Sequence, residues 1–129
     1  VADFNSDGAM DFAVMCAGAG SVNIYFGKNN GTFSAPTTLI SAASGGRGIA
    51  AADFDNDGRV DILTFSPSVP INAAVYFRNN GIAPNGTATF DNNVNLSAFG
   101  TNEAPEVAQI GDFNGDGNQD NSKKLSYSE

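Results

Sequence analysis

The sequence has 129 residues, 41% hydrophobic and 16% charged, a balance that suits one modest folded domain rather than a disordered chain. Its net charge is −8 and only six residues are Lys or Arg, too few cations to neutralise a run of phosphates, so DNA and RNA are excluded as partners. No apolar run approaches the ~20 residues that cross a bilayer, which excludes membrane insertion by a helix, and the lone Cys16 excludes a disulfide framework or a multi-thiol metal site.

Fifteen glycines, ten phenylalanines and abundant Asn and Ser favour strands joined by tight turns, so the chain reads as all-β. It opens on an acidic segment, residues 1–11, in which Asp3, Asn5, Asp7 and Asp11 alternate with linking residues around Gly8. An apolar strand over 12–16 follows, with Cys16 expected to be a buried, inert thiol. Alternation of Val22, Ile24 and Phe26 with Asn23 and Tyr25 predicts a second strand with the first three facing the core. Asn29-Asn30-Gly31 predicts a turn in which Asn and Gly take positive φ, leading to Thr32-Phe33. The small or β-branched residues at 49–52 predict a strand returning towards a crowded centre.

The same order then recurs. A second acidic segment holds Asp53, Asp55, Asp57 and Asp61, and a strand follows over 62–66. The next strand, 73–77, matches the first unit if Val75 answers to Ile24 and Phe77 to Phe26. Asn79-Asn80-Gly81 then stands as the counterpart of the first Asn-Asn-Gly turn, with a longer loop over 82–88 before Thr89-Phe90. Tyr25 and Tyr76 are expected to cover the outer faces of their strands. A third acidic segment with Asp112, Asn114, Asp116 and Asp120 follows the β-branched stretch around Val107, and after it the strand pattern is lost. The chain therefore divides into a first repeat at 1–50, a second at 51–109, a third loop at 110–120 and an off-pattern tail at 121–129.

Four strands per unit of about fifty residues, stacked radially, are the plan of a β-propeller. The expected architecture is a partial propeller of two complete four-stranded blades and the start of a third. Closed rings need about four to eight blades, so the chain is expected to be a piece of a longer protein or to associate with copies of itself through exposed blade faces.

Ten of the fourteen acidic residues fall inside the three loops, a clustering that makes physical sense when a cation neutralises it. Calcium takes six to eight oxygens, and a short loop wraps it when acidic or amide side chains alternate with linkers. In the first loop Asp3, Asn5, Asp7, the carbonyl of Ala9 and Asp11 are the candidate ligands. In the second they are Asp53, Asp55, Asp57, the carbonyl of Arg59 and Asp61, and in the third Asp112, Asn114, Asp116, the carbonyl of Asn118 and Asp120. By carboxylate count the second loop is expected to bind most tightly. An EF-hand would need a Glu at the twelfth position, which falls on Val14, Thr64 and Lys123, and magnesium prefers a smaller octahedron with fewer protein ligands. The competing reading, Asp- and Asn-rich turns satisfied only by their own backbone, weakens with each further copy.

These residues resemble the FG-GAP and VCBS repeat family, the calcium-loop propeller units of integrin alpha subunits, fungal lectins and many bacterial surface and secreted proteins. The resemblance rests on Asp-Phe-Asn/Asp-x-Asp-Gly-x-x-Asp in each unit, on the Asn-Gly-Thr turns before a Phe, and on Gly45-Gly-Arg-Gly-Ile-Ala ahead of the second loop. It implies a secreted or cell-surface propeller whose calcium ions brace blade edges and whose variable loops meet a protein or glycan ligand.

Catalysis is not expected. The chain has no His, no Ser or Cys sits beside a candidate base, and only Asp91, Glu103, Glu106 and Glu129 lie outside the acidic loops. The first functional expectation is therefore a non-catalytic recognition or adhesion module. The alternatives are a fragment of a polysaccharide-lyase-type propeller enzyme and an architectural spacer in a surface protein.

Overall fold

Strands form where β-branched and aromatic residues run together between the acidic loops and the Gly- and Asn-containing turns. A computed structural model describes residues 1–40, 48–66, 73–91, 94–96 and 111, and among these every regular element is a strand. In chain order they are β1 (Phe12–Cys16), β2 (Ser21–Tyr25), β3 (Thr37–Ile40), β4 (Gly48–Ala52), β5 (Asp61–Ser66), β6 (Ala73–Phe77), β7 (Asn79–Ile82), β8 (Ala88–Phe90) and β9 (Val94–Leu96). They build an antiparallel sheet β1-β2-β3, a second antiparallel sheet β4-β5-β6-β9, and the small hairpin β7-β8. No helix among the described residues is long and apolar enough to cross a membrane.

The strand that returns from the first repeat, β4, forms as expected and pairs with β5, Ala52 opposite Asp61. It therefore edges the second sheet. The corresponding place beside β1 holds only the isolated bridge between Ala2 and Asp11. Each loop thus connects the two arms of a hairpin, so the sheets are out of step with the sequence repeat by one strand.

The core lies between the two larger sheets. One face of the first sheet, with Ala13, Met15, Val22, Ile24 and Leu39, meets the face of the second that carries Ile62, Val75 and Phe77. Phe4, Phe26 and Ala88 close this core, and the Phe4 ring stands edge-on to Phe90 at 6.2 Å. A second apolar cluster, Ala50, Phe54, Leu63, Phe65 and Ala74, lies on the opposite face of the second sheet, with Tyr76 against it. Sheets stacked face to face, each with its loop phenylalanine in the cluster on the same side, make a partial β-propeller and not a closed barrel.

The register corrects two sequence correspondences. Phe12 pairs with Tyr25 and Ile62 with Phe77, so the counterpart of Tyr25 is Phe77 and that of Ile24 is Tyr76. Ile24 and Val75 therefore lie on opposite faces of their own sheets and share a core because those faces meet. A shift of one residue exchanges the faces of a strand, and β6 is apolar on both because both are covered, which removes the alternation that would have set the register.

The second correction concerns the turns. Asn79-Asn80-Gly81 lies in β7, with a register shift between Asn79 and Gly81, and of its residues Gly81 alone has positive φ. The turn equivalent to that at 28–32 is at 83–87. In both, the first residue's amide donates to the carbonyl four residues on (Lys28 to Thr32, Ala83 to Thr87, each 2.8 Å). In both, an Asn Oδ1 accepts from the Thr amide and hydroxyl (Asn30 with Thr32, Asn85 with Thr87), and a Gly takes positive φ (Gly31, Gly86). The extra residues of the second repeat lengthen the arms of the hairpin and leave its turn unchanged.

Candidate metal centre

The two described loops repeat the same ladder of hydrogen bonds. Asp3 accepts the amides of Asp7 and Gly8 at 3.1 and 2.9 Å, and Asp53 those of Asp57 and Gly58 at 3.1 and 2.8 Å. Asn5 and Asp55 each accept the amide two residues on at 3.3 Å, and Asp7 and Asp57 accept those of Ala9 and Arg59 at 2.8 and 3.0 Å. Such Asx contacts curl the backbone so that alternate side chains point inward. The curl needs left-handed residues at two places: Ser6 and Asn56 have φ of 54° and 59°, and Gly8 and Gly58 have φ of 85°.

The ninth-position carboxylate closes each loop from below. Asp11 accepts from the amides of Phe4 and Gly27, both at 2.8 Å; Asp61 accepts from those of Phe54 at 3.0 Å and Asn79 at 2.8 Å. Both are buried, Asp61 completely. Burial pushes the two carboxyls above their ordinary range, opposed by the amide donors; the charges of Asp3 and Asp7 raise Asp11 further, and that of Asp55 raises Asp61. Close packing at this point explains Gly27, since a Cβ there would collide with the Met10 carbonyl.

In the second loop one oxygen from each of Asp53, Asp55 and Asp61 lies within 4.8 Å of the others. Ligands on opposite sides of a calcium ion, at ~2.3–2.6 Å each, stand ~4.6–5.2 Å apart, so the cluster has the span of one such ion. Each carboxylate has about four lone-pair sites, and the amide contacts leave room for a cation. The oxygens are hard donors with no nitrogen or sulfur among them, a set that suits calcium. In the first loop Asn5 supplies an amide oxygen where Asp55 supplies a carboxylate. The third expected set, Asp112, Asn114, Asp116, Asn118 and Asp120, lies outside the described residues, as does the tail after it.

Four side-chain roles escaped the sequence reading. Tyr76 was expected on an outer face, but its hydroxyl donates to Asp61 at 2.9 Å and its ring packs edge-on to Phe54 at 6.2 Å. Burial, and then the hydrogen bond with Asp61, push its pKa up. Arg78 donates to Asp55 at 2.6 Å and to Asp57 at 3.4 Å, while the Arg59 side chain pairs with Asp57 and reaches the Asn79 carbonyl at 2.7 Å. The Asp55 hydrogen bond above all raises the Arg78 pKa. Asn79, fully buried, donates to the carbonyls of Phe4 at 2.9 Å and Val60 at 3.0 Å and accepts from the Gly81 amide at 2.9 Å. The signal for Asn79 was present only as an unremarkable Asn-Asn-Gly. Cys16, expected buried, is half-buried, with Asn23 Nδ2 3.4 Å from its sulfur.

No curated protein and no solved structure matches the chain. The profile of the FG-GAP-like repeat matches residues 3–64 and that of the FG-GAP repeat matches residues 45–93. Both described loops, with strands β1 to β8, fall within these matches, and the chain belongs to the FG-GAP repeat family through residues 3–93.

Proposed function

We propose that this β-propeller-type repeat module binds calcium in its acidic loops and serves, rigidified by it, as a non-catalytic recognition or adhesion unit outside the cell. The observation that carries the reading is the convergence of Asp53, Asp55 and Asp61 within 4.8 Å, in a loop whose hydrogen bonds recur around Asp3, Asn5, Asp7 and Asp11. FG-GAP repeats often bind calcium and generally act as structural or recognition units in extracellular or surface proteins. The ligands are Asp3, Asn5, Asp7, the Ala9 carbonyl and Asp11 in one loop, and Asp53, Asp55, Asp57, the Arg59 carbonyl and Asp61 in the next. The third loop follows the same pattern from Asp112 to Asp120.

A bound divalent ion offsets the repulsion of the clustered carboxylates and ties the loop to the hairpin beneath it. Binding to the folded state alone raises stability by about 2.7 kcal/mol at a hundredfold excess over Kd. Calcium titration at neutral pH, followed by calorimetry or by terbium luminescence, is expected to show saturable uptake and a higher melting temperature that chelator reverses. A chelator-insensitive melt with no saturable uptake would falsify the calcium reading. The ligand of the module is a protein or a glycan met by its variable loops; a glycan array and pull-down with calcium present, repeated with chelator, separate the two.

A further inference from the structure

Carboxylate count ranks the second loop as the tighter site, but that loop brings its own cations. Arg78 spans Asp55 and Asp57, and Arg59 pairs with the same Asp57 oxygen, Oδ2. The Arg59 side chain is also tied to the Asn79 carbonyl and runs past Gly81, so its guanidinium is held in place by the β7-β8 hairpin. In the first loop Ala9 stands where Arg59 stands. By register, Gly27 and Asn79 are counterparts, which puts Phe26 where Arg78 is. Among the described residues no ion pair reaches Asp3, Asp7 or Asp11.

We propose that Arg59 and Arg78 are built-in counter-cations of the second loop, which hold it folded without a metal ion and weaken its calcium affinity below that of the first. The inference rests on the calcium reading of these loops. A positive charge fixed on two of the ligand carboxylates opposes an incoming doubly charged ion and withdraws oxygens from it. Among the described residues the first loop has no such partner, so its carboxylates repel one another until an ion arrives. The two loops then fill in sequence as calcium rises, the first responding to the ion and the second already formed.

The test uses the full chain with Asp3→Asn and Asp112→Asn, which leaves the second loop as the one competent site, and compares it with the same chain carrying Arg59→Gln and Arg78→Gln. Removing the guanidiniums is expected to tighten calcium binding about three- to tenfold and to lower the melting temperature in chelator by a few degrees. Arg78→Lys, which keeps the charge but loses the fork that spans both carboxylates, is expected to fall between its parent and the double variant. Because the background changes could unfold the chain, the arginine variants are also titrated in the otherwise unaltered protein, where the weakest calcium step is the one expected to tighten. Saturable uptake whose affinity does not rise on losing both arginines overturns this inference and leaves the calcium reading standing. Absence of uptake in every variant removes the calcium reading, and this inference with it.

Discussion

Asp11 and Asp61 are the residues on which the loops turn, because each is both the last candidate ligand and the acceptor that fastens the loop to the end of the neighbouring strand. The two duties are compatible: backbone amides take one lone pair on each oxygen and leave others free. Asp61 also receives the Tyr76 hydroxyl, so three donors converge on one buried carboxylate. Asp61→Asn keeps the shape but places an NH2 against amide donors. It is expected to cost about 2–3 kcal/mol of stability even in chelator, whereas Tyr76→Phe, which removes one hydrogen bond and keeps the ring, is expected to cost about 1 kcal/mol. Urea unfolding of the two variants with calcium absent checks the order. No loss in Asp61→Asn would mean that the carboxylate matters here only as a metal ligand.

At the scale of elements, the β7-β8 hairpin decides how the repeats are joined. Its longer arms bring the turn at 83–87 up to the first loop, where Asn5 Nδ2 donates to the Gly86 carbonyl at 3.0 Å. At its base Asn79 bonds to Phe4 of the first loop and to Val60 of the second. The hairpin is therefore a strap from one acidic loop to the next. Asn79→Ala strands two carbonyls and an amide, and is expected to cost about 2–3 kcal/mol. Asn79→Asp is expected to be at least as damaging, because it turns a carboxylate oxygen towards both carbonyls. Equilibrium denaturation measures both, and a loss below half a kcal/mol for either would show that the strap is not needed.

For the molecule as a whole, the consequential fact is that its main core belongs to neither sheet alone. Val22 and Ile24 come from the first, Ile62, Val75 and Phe77 from the second, and Phe4 from a loop. Neither sheet hides its apolar face without the other, so the two are expected to unfold in one transition. Ile24→Ala is expected to destabilise the whole described region by about 2–5 kcal/mol through the cavity it leaves. Hydrogen exchange should report that loss in β5 and β6 as well as in β1 and β2, and protection lost in the first sheet alone would refute the shared core. The same logic applies at the outer surfaces. Phe12, stacked on Tyr25 at 4.7 Å, has Phe33 edge-on at 4.8 Å, and Phe33 is 47% exposed. This aromatic face of the first sheet corresponds to the face of the second that receives its neighbour.

What the sequence by itself determined was local. The spacing of Asp, Asn and Gly within eleven residues dictates a curled loop because each hydrogen bond of the ladder spans two to five residues. Runs such as Phe12–Cys16 are strands in almost any context. Faces and partners were another matter. The register of β6, the true turn at 83–87, the return of β4 to the second sheet, and the placing of Tyr76, Arg78 and Asn79 around Asp61 and its neighbours all depend on contacts between distant segments. Alternation is erased where both faces of a strand are covered, and an Asn-Gly pair reads alike in a turn and in a bulged strand. Only the stacking of one sheet on the next decided which reading was realised, because burial of apolar faces, and not local propensity, sets the register.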